Sequence, residues 1–529
     1  MASLKELERL LASGRISRRD FMARASALGV TAAVSTSLMA GPAWAAKPKR
    51  GGRLRLGVAG GSTTDSLDPA TITDAMAQNI SFGQLRNCLV EIDADSNPIP
   101  ELAESWEASA DAARWVFKIR KGVEFHNGKT LDSEDVVYSI NHHRGKDSKS
   151  AAKGIVDPIK DVKADGKHTV IFTLAGGNAD FPFIMSDYHL SIVPAGTKGK
   201  EFEKGVGTGG YVLVSHDPGV RALTKRNPNY WKEGRAFFDE VETIGIADVN
   251  ARTNALKTDE IDAMNRAELK TVDLLKRLPG IQIIEVTGTK HYTFAMRTDM
   301  APYDDNHVRL ALKYAIDREQ MLKTILRGHG ALGNDHPIAT ANRYHADIPQ
   351  RVYDPDKAKF HLKKAGLSSL SVKLHAADAA FGGAVDAAVL YRENAAKANI
   401  DIEVVREPND GYWSNVWMKK AWTAVFWSGR ATEDWMFSIA YAADAKWNDT
   451  FWKHDRFNQL LVAARAELDD AKRRQMYGEM QQIVRDEGGV VIPMFANDVQ
   501  AARSRVKFNK VAANWELDGH KSAERWWFA

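Results

Sequence analysis

A dense group of tryptophans is the feature of this sequence with the clearest chemical use. Seven of the 14 tryptophans lie within 40 residues of one another. They are Trp413, Trp417, Trp422, Trp427, Trp435, Trp447 and Trp452. Tryptophan is large and rigid and carries one hydrogen-bond donor, so such a group suits a pocket that encloses an organic ligand. A tryptophan-rich core remains the alternative for about half of the individual members.

Charged residues interrupt the same segment. Arg430, Glu433 and Asp434 stand where a purely apolar core would exclude charge. We therefore expect these charges to pair with amine, carboxylate or phosphate groups of a ligand. The predicted ligand-binding residues of the segment are Tyr412, Trp413, Trp427, Arg430, Asp434, Trp435 and Trp447.

Signals for catalysis, metal binding and cofactor binding are absent from the sequence. It contains no G-x-S-x-G, HExxH or Walker A motif. His142 and His143 are adjacent, but neighbouring side chains on a helix diverge by about 100°, so both are expected on the surface. The run 205–210 fits G-x-G-x-x-G, yet a strand and not a helix follows it, which favours a tight turn over a nucleotide site. No catalytic residue, metal ligand or cofactor is predicted.

Alternating strands and amphipathic helices predict the framework that must position these residues. A strand over 51–59 ends in a polar loop that contains Thr63 and Thr64, and both threonines are predicted to face ligand. Further strands are predicted around 115–119, 170–174 and 490–495, and Asp132 is expected to cap a helix. Helices are predicted over about 305–327 and 472–486. Mixed elements without βαβ repeats indicate an α/β chain with more than one lobe.

The first 45 residues have the pattern of an export signal. Arg18 and Arg19 precede a mildly apolar run over 25–40, and Ala43 and Ala45 occupy the small-residue positions of a cleavage site. The paired arginines predict a twin-arginine signal that exports a folded protein, while an ordinary first helix is the alternative.

Composition excludes several classes of protein. The 529 residues are 44% hydrophobic and 26% charged, a mix typical of soluble globular chains. The net charge of +4 is small, and most of it lies in the leader, so no nucleic-acid surface is expected. Cys88 is the single cysteine, which excludes an internal disulfide and predicts an inert buried thiol.

Several motifs together resemble family 5 of the extracellular solute-binding proteins, the peptide, nickel and opine binders of ABC importers. The matching segments occur in order along the whole mature chain. They are LAESW (102–106), WVFKIRKGVEFHNG (115–128), DVVYS (135–139), GTGGY (207–211), RNPNYW (226–231), RLALKYAIDR (309–318), YDPDKA (353–358) and residues 473–495.

The resemblance implies a two-lobed periplasmic binding protein fold with an inserted subdomain. Lobe I would comprise 46–290 with 498–529, including the insertion at about 91–204, and lobe II would comprise 291–497. A hinge of two strand crossovers would let the lobes close on a ligand. The monomeric, periplasmic protein would be exported by a translocon and would then dock on the permease subunits of an importer, behind which the ATPase subunits act.

The resemblance implies a class of ligands and not a single ligand. In the peptide binders of the family, an aspartate in a tryptophan-rich segment holds the ligand amine. The corresponding stretch here, 427–435, lacks the family's prolines and contains Arg430, and Asp434 is the expected amine partner. The expected cargo is a peptide-like, amine-like or opine-like solute, with nickel or haem as alternatives within the family. An exported enzyme or a surface adhesin that reuses the fold is the alternative from another class.

Overall fold

A computed structural model describes residues 48–72, 74–408 and 412–529. The predicted leader and its cleavage site lie outside these residues. Arg50–Phe528 forms one compact unit. Among the described residues, no helix combines the length and the apolar character that a bilayer crossing requires.

Twenty-one strands lie in the described part of the chain. They are β1 (Arg53–Val58), β2 (Val90–Ile92), β3 (Pro98–Pro100), β4 (Ala103–Ala108), β5 (Arg114–Ile119), β6 (Ile159–Ala164), β7 (Thr169–Leu174), β8 (Tyr211–Asp217), β9 (Arg221–Arg226), β10 (Glu240–Gly245), β11 (Ala263–Met264), β12 (Ile281–Val286), β13 (His291–Met296), β14 (Gly330–Leu332), β15 (Leu370–Ala376), β16 (Ile400–Arg406), β17 (Trp422–Trp427), β18 (Val490–Ala496), β19 (Asp498–Arg503), β20 (Val506–Lys507) and β21 (Trp527–Phe528).

Sixteen α-helices accompany these strands among the described residues. They are α1 (Ala75–Ile80), α2 (Ser133–His142), α3 (Lys153–Val156), α4 (Phe181–Ile184), α5 (Val249–Lys257), α6 (Val272–Lys276), α7 (Asn306–Tyr314), α8 (Arg318–Thr324), α9 (Pro355–Lys364), α10 (Ala384–Ala396), α11 (Tyr412–Asn415), α12 (Glu433–Ala440), α13 (Asp455–Ala466), α14 (Asp470–Glu487), α15 (Glu516–Gly519) and α16 (Ser522–Arg525).

A seven-stranded sheet contains β1, the first named strand of the described residues. Its order is β12-β19-β11-β1-β10-β9-β8, with β1 parallel to both β10 and β11. Leu54, Leu56 and Val58 alternate along β1 and are fully buried, because the strand has one face on a hydrophobic core. The loop with Thr63 and Thr64 follows the carboxyl end of β1.

A four-stranded antiparallel sheet lies within the stretch predicted as an insertion. Its order is β4-β5-β7-β6. Its core is aromatic: the Phe117 ring lies 5.3 Å from that of Phe172 and 6.0 Å from that of Phe181, measured between centroids. Asp132 caps α2 as predicted, with a capping box completed by Asp135.

A six-stranded sheet holds every named strand between residues 291 and 496. Its order is β14-β18-β13-β17-β15-β16. The chain passes from the seven-stranded sheet to this sheet over residues 287–290 and returns through Asn497. Two neighbouring crossovers therefore join the sheets. The lobe boundaries at 290/291 and 497/498, the bounds of the insertion and a hinge at the crossovers stay predictions.

The structure corrects two local expectations and confirms others. The helix predicted over about 305–327 is interrupted, because the Asp317 side chain accepts a hydrogen bond from the Gln320 backbone and starts a new helix, α8. His143 is buried and its Nδ1 lies 2.7 Å from Ser150 Oγ, so it is not the predicted surface histidine. Cys88 is buried as predicted, and burial raises the pKa of its thiol.

Candidate ligand-binding site

The tryptophan segment divides into core and surface members. Trp422, Trp427 and Trp452 are buried in hydrophobic clusters, as the core alternative predicted for part of the group. Trp413 and Trp447, in contrast, are 39% and 48% exposed. Exposed rings of this size are suited to contact a ligand.

The exposed rings belong to one connected group with the half-buried Trp417 and the buried Trp427, and we call this group the aromatic patch. It comprises Trp413, Trp417, Phe426, Trp427 and Trp447. Neighbouring ring centroids in the patch lie 5.6–6.3 Å apart. The patch contains Trp413, Trp427 and Trp447 of the predicted site, and adds Trp417 and Phe426.

A buried carboxylate anchors the patch. Asp449 Oδ2 accepts hydrogen bonds from the indole nitrogens of Trp417, at 3.1 Å, and Trp427, at 3.3 Å. Burial raises the pKa of the Asp449 carboxyl to about 6, and the two indole donors oppose that shift. Sequence reasoning missed Asp449, although its position two residues after Trp447 was a usable signal.

The patch lies beside the crossover between the sheets. In the ladder of β17 and β13, Trp427 pairs with His291, the first residue after the crossover. A β-carbon at Gly429 would lie only 1.5 Å from Thr289 Oγ1, so the segment after β17 packs directly on the crossover. Gly429 permits this close approach because it has no side chain.

Asp434 has a protein partner. Its Oδ1 lies 2.9 Å from Nε of Arg465 on α13. Burial raises the pKa of Asp434 to about 6 despite this arginine. The neighbouring Glu433 accepts a hydrogen bond from the Tyr344 backbone at 2.6 Å. A role for Asp434 as amine partner of a ligand stays a prediction, since its carboxylate already has a cation.

Arg430 is placed differently. Its Nη1 donates only to its own turn, to the carbonyl oxygens of Ser428, at 2.5 Å, and Gly429, at 3.1 Å, and to the Ser428 hydroxyl. The guanidinium carbon lies 5.7 Å from the ring centroid of Trp435, which is half-buried. Arg430 and Trp435 therefore form one unit between β17 and α12.

Arg430 lines a small cavity between the two sheets. Its volume is ≈ 20 Å³, about the space of one water molecule. One wall comes from the β2–β3 hairpin, α4 and the segment after β20, and the other from the crossover and from loops between strands of the six-stranded sheet. The lining residues are Ile92, Ser96, Phe183, Thr289, Ala341, Asn342, Arg430, Ala431, Ala513 and Asn514.

Three predicted ligand-binding residues remain, Tyr412, Thr63 and Thr64. Tyr412 is buried, and its hydroxyl donates to the Ala424 backbone at 2.8 Å, so its ring belongs to the core. Thr63 and Thr64 are exposed, and Thr64 Oγ1 lies 2.8 Å from Ser62 Oγ. Ligand contacts by these three residues stay predictions.

A second cavity of ≈ 240 Å³ lies at the crossovers. Its lining includes two ion pairs, one between Lys290 and Asp498 at 3.3 Å and one between Arg266 and Glu516 at 3.0 Å. Sequence reasoning missed these residues, because they come from distant parts of the chain. Since each charge has a partner of opposite sign, the cavity carries no unpaired charge among these four residues.

Residues 179–180, in the stretch predicted as an insertion, contact α13 and α14. Arg473 and Asp180 form a buried ion pair at 2.7 Å, and the Ala179 backbone donates to the Arg465 carbonyl at 2.7 Å. We call these two contacts the latch.

Among the described residues, no group of three or more histidine, cysteine or acidic side chains could hold a metal ion.

Comparison with known proteins supplies the family. The sequence model described as bacterial extracellular solute-binding proteins, family 5 Middle, matches residues 97–449. The dipeptide-binding protein of Escherichia coli K12 is 26% identical over 485 residues, which cover 84% of this chain and 89% of that protein. Heme-binding protein A of Haemophilus influenzae is 30% identical over 327 residues, 57% of this chain and 60% of that protein.

A solved structure shows the same fold. The binding protein AgaA of A. tumefaciens R10, in complex with agropinic acid, superposes with a TM-score of 0.73 at 23% identity, over 90% of this chain and 99% of that one. The prediction of a mixed α/β binding-protein fold is confirmed, and so is the prediction of a binding protein and not an enzyme. The chain belongs to the bacterial extracellular solute-binding proteins of family 5.

Proposed function

We propose that this protein captures a small organic solute, peptide-like, amine-like or opine-like, between two lobes and delivers it to the permease subunits of an ABC importer. The observation that carries the proposal is the aromatic patch with Arg430 beside the crossover. It offers stacking surface and one charged group at the boundary between two sheets, in a chain whose family binds solutes.

The relatives support the ligand class in general terms. The E. coli relative is named for dipeptides, and AgaA is solved with agropinic acid. Both ligands are small organic molecules with charged groups. Nickel and haem remain cargo alternatives because other relatives carry them in their names or titles.

The crossovers support a closing motion. We take lobe I as 46–290 with 498–529 and lobe II as 291–497, so that only residues 287–290 and Asn497 need to change conformation. The cavity at Arg430 is too small for an organic ligand. The latch joins residues 179–180 of the proposed lobe I to α13 and α14 of the proposed lobe II. These features are what a closed form would have, and opening would widen the cavity at Arg430 and admit solute to it.

The leader supports export to the periplasm. Arg18 and Arg19 before the apolar run fit the twin-arginine route. Replacing both by lysine is expected to block that route, which fractionation of the cells would measure. A double variant found in the periplasm at normal yield would contradict the assignment.

Native mass spectrometry of the mature protein purified from the periplasm tests the proposed function. A solute-binding protein is expected to carry one small molecule per monomer and to release it chemically unchanged. An exported enzyme would convert the molecule over time. A dimeric protein, or one without any bound or captured small molecule, would contradict the proposal.

A further inference from the structure

The charges of the tryptophan segment are not equally satisfied. Asp434 pairs with Arg465, and Asp449 accepts two indole hydrogen bonds. Arg430 has only neutral acceptors, and no carboxylate of a described residue lies within 4.0 Å of its guanidinium nitrogens. The unmatched charge at this end of β17 is therefore positive.

The cavity beside Arg430 contains no compensating acid. Among its lining residues, Arg430 alone carries a charged side chain, and the others are apolar, hydroxyl or amide residues. The Asn342 amide donates to the Arg430 carbonyl at 3.4 Å, so it adds no acceptor to the guanidinium. A half-buried cation in such a cavity is stabilised best by an anion that arrives with the ligand.

Asp187, the acid whose charge acts on Arg430, is already engaged. Asp187 is buried, and its Oδ1 lies 2.7 Å from Nδ1 of His189 and accepts the His189 backbone hydrogen at 3.0 Å. Burial lowers the pKa of Arg430, and Tyr188 and Asp187 only partly oppose that shift. The surroundings thus leave the guanidinium short of negative charge.

We infer that the solute presents an anionic group, a carboxylate or a phosphate, to Arg430. This inference rests on the proposed function and deepens it, because it gives the sign of charge that the ligand carries at this site. Guanidinium forms paired hydrogen bonds with such oxyanions, and the Trp435 ring lies beside the Arg430 guanidinium.

Three capped forms of one dipeptide test the inference. N-acetyl-Ala-Phe carries one negative charge, N-acetyl-Ala-Phe amide carries none, and Ala-Phe amide carries one positive charge at pH 7. Calorimetric titration in a low-salt zwitterionic buffer is expected to give the anion at least about 30-fold tighter binding than either amide. Equal or reversed affinities in the wild type overturn the inference.

Variants show whether Arg430 is the cause. Arg430→Gln is expected to remove the preference for the anion, and Arg430→Lys to keep part of it. Arg456→Gln is the matched control, because Arg456 is exposed and pairs with Glu479 at 2.7 Å on the surface of α13. An anion preference that survives Arg430→Gln overturns the inference.

The molecule that co-purifies with the wild type gives an independent readout. An anion that is retained by the Arg456→Gln variant and lost from the Arg430→Gln variant supports the inference. A cation or a molecule without an anionic group overturns the inference but leaves the proposed function standing. A wild type that holds neither the peptides nor any co-purified molecule contradicts the proposed function, and the inference falls with it.

Discussion

Two aromatic regions of this protein use similar residues for different ends. The four-stranded sheet surrounds the fully buried Phe117 with Trp115, Phe172 and Phe181. The aromatic patch beside the crossover has comparable ring spacings, yet Trp447 and Trp413 leave much of their surface exposed. Ring density alone therefore does not separate a core from a binding surface.

The polar partners of the indoles separate the two regions. Trp115 Nε1 donates to a backbone carbonyl, that of Ala112, at 3.0 Å. Trp417 and Trp427 instead share the buried carboxylate of Asp449. A buried acid costs stability unless its oxygens are bonded, so Asp449 is better explained by its orientation of the Trp417 and Trp427 rings, which support the exposed Trp447 ring, than by stability.

The largest expected effect comes from the aromatic core. Phe117→Ala removes a fully buried ring and is expected to lower the free energy of unfolding by about 3–5 kcal/mol. Chemical denaturation measures this change. At temperatures where the variant remains folded, the affinity for the co-purified molecule should stay within about twofold of wild type. A lost affinity in the folded variant would erase the distinction between core and patch.

Asp449→Asn tests the cost of the buried carboxylate through pH. Its pKa is raised from 3.8 to about 6 in the folded protein, so the folded state binds more protons than the unfolded state between these values. Stability from this group is therefore greatest at low pH and is lost as the pH rises to about 6. Asparagine keeps an acceptor without the charge, and the variant should gain about 3 kcal/mol over wild type by pH 7.5.

The measurement compares urea denaturation of wild type and Asp449→Asn at pH 4 and pH 7.5. Glu433 and Asp434 also have raised pKa values, but both proteins contain them, so their contributions cancel in the difference. A difference that is independent of pH would show that the carboxylate is not penalised by burial.

Trp447→Ala tests the patch itself. The ring is 48% exposed, so the free energy of unfolding should change by less than about 1 kcal/mol. The affinity for the co-purified molecule should fall about tenfold, which corresponds to about 1.4 kcal/mol. Calorimetry and denaturation on the same sample separate the two effects. A large loss of stability with unchanged affinity would place Trp447 with Phe117 as a core residue.

Local sequence patterns predicted single strands and helix caps better than the contacts between secondary-structure elements. The alternation of β1 and β5 and the cap at Asp132 depend on neighbouring residues, and the structure confirms them. The break at Asp317 was missed because a side-chain cap competes with a helical pattern that continues across it. His143 was expected at the surface because helix geometry alone does not show what packs on that helix.

The sequence predicted which residues the candidate site contains, but not which partners its charged side chains have. The clustered tryptophans were visible in the sequence, and five of the seven lie in the patch or beside Arg430. The ion pair of Asp434 with Arg465 and the hydrogen bonds of Asp449 join residues from separate segments of the chain. Only the packing of helices and strands brings these residues together. Which charge of the segment is left without a partner is thus decided by tertiary contacts.

Asp434→Asn gives the smallest expected effect and the sharpest contrast with Arg430. Burial raises the pKa of this carboxyl to about 6, so at pH 4 it is protonated in the folded protein, and its replacement by the neutral asparagine should change the free energy of unfolding by less than about 1 kcal/mol at that pH. The affinity for the co-purified molecule should stay within about twofold if the ion pair of Asp434 with Arg465 persists on binding. Calorimetric titration of this variant beside Arg430→Gln measures both charges against one ligand. A loss of more than about 30-fold in Asp434→Asn would show that the Arg465 pair opens on binding, and the sequence-based assignment of Asp434 as amine partner would then hold.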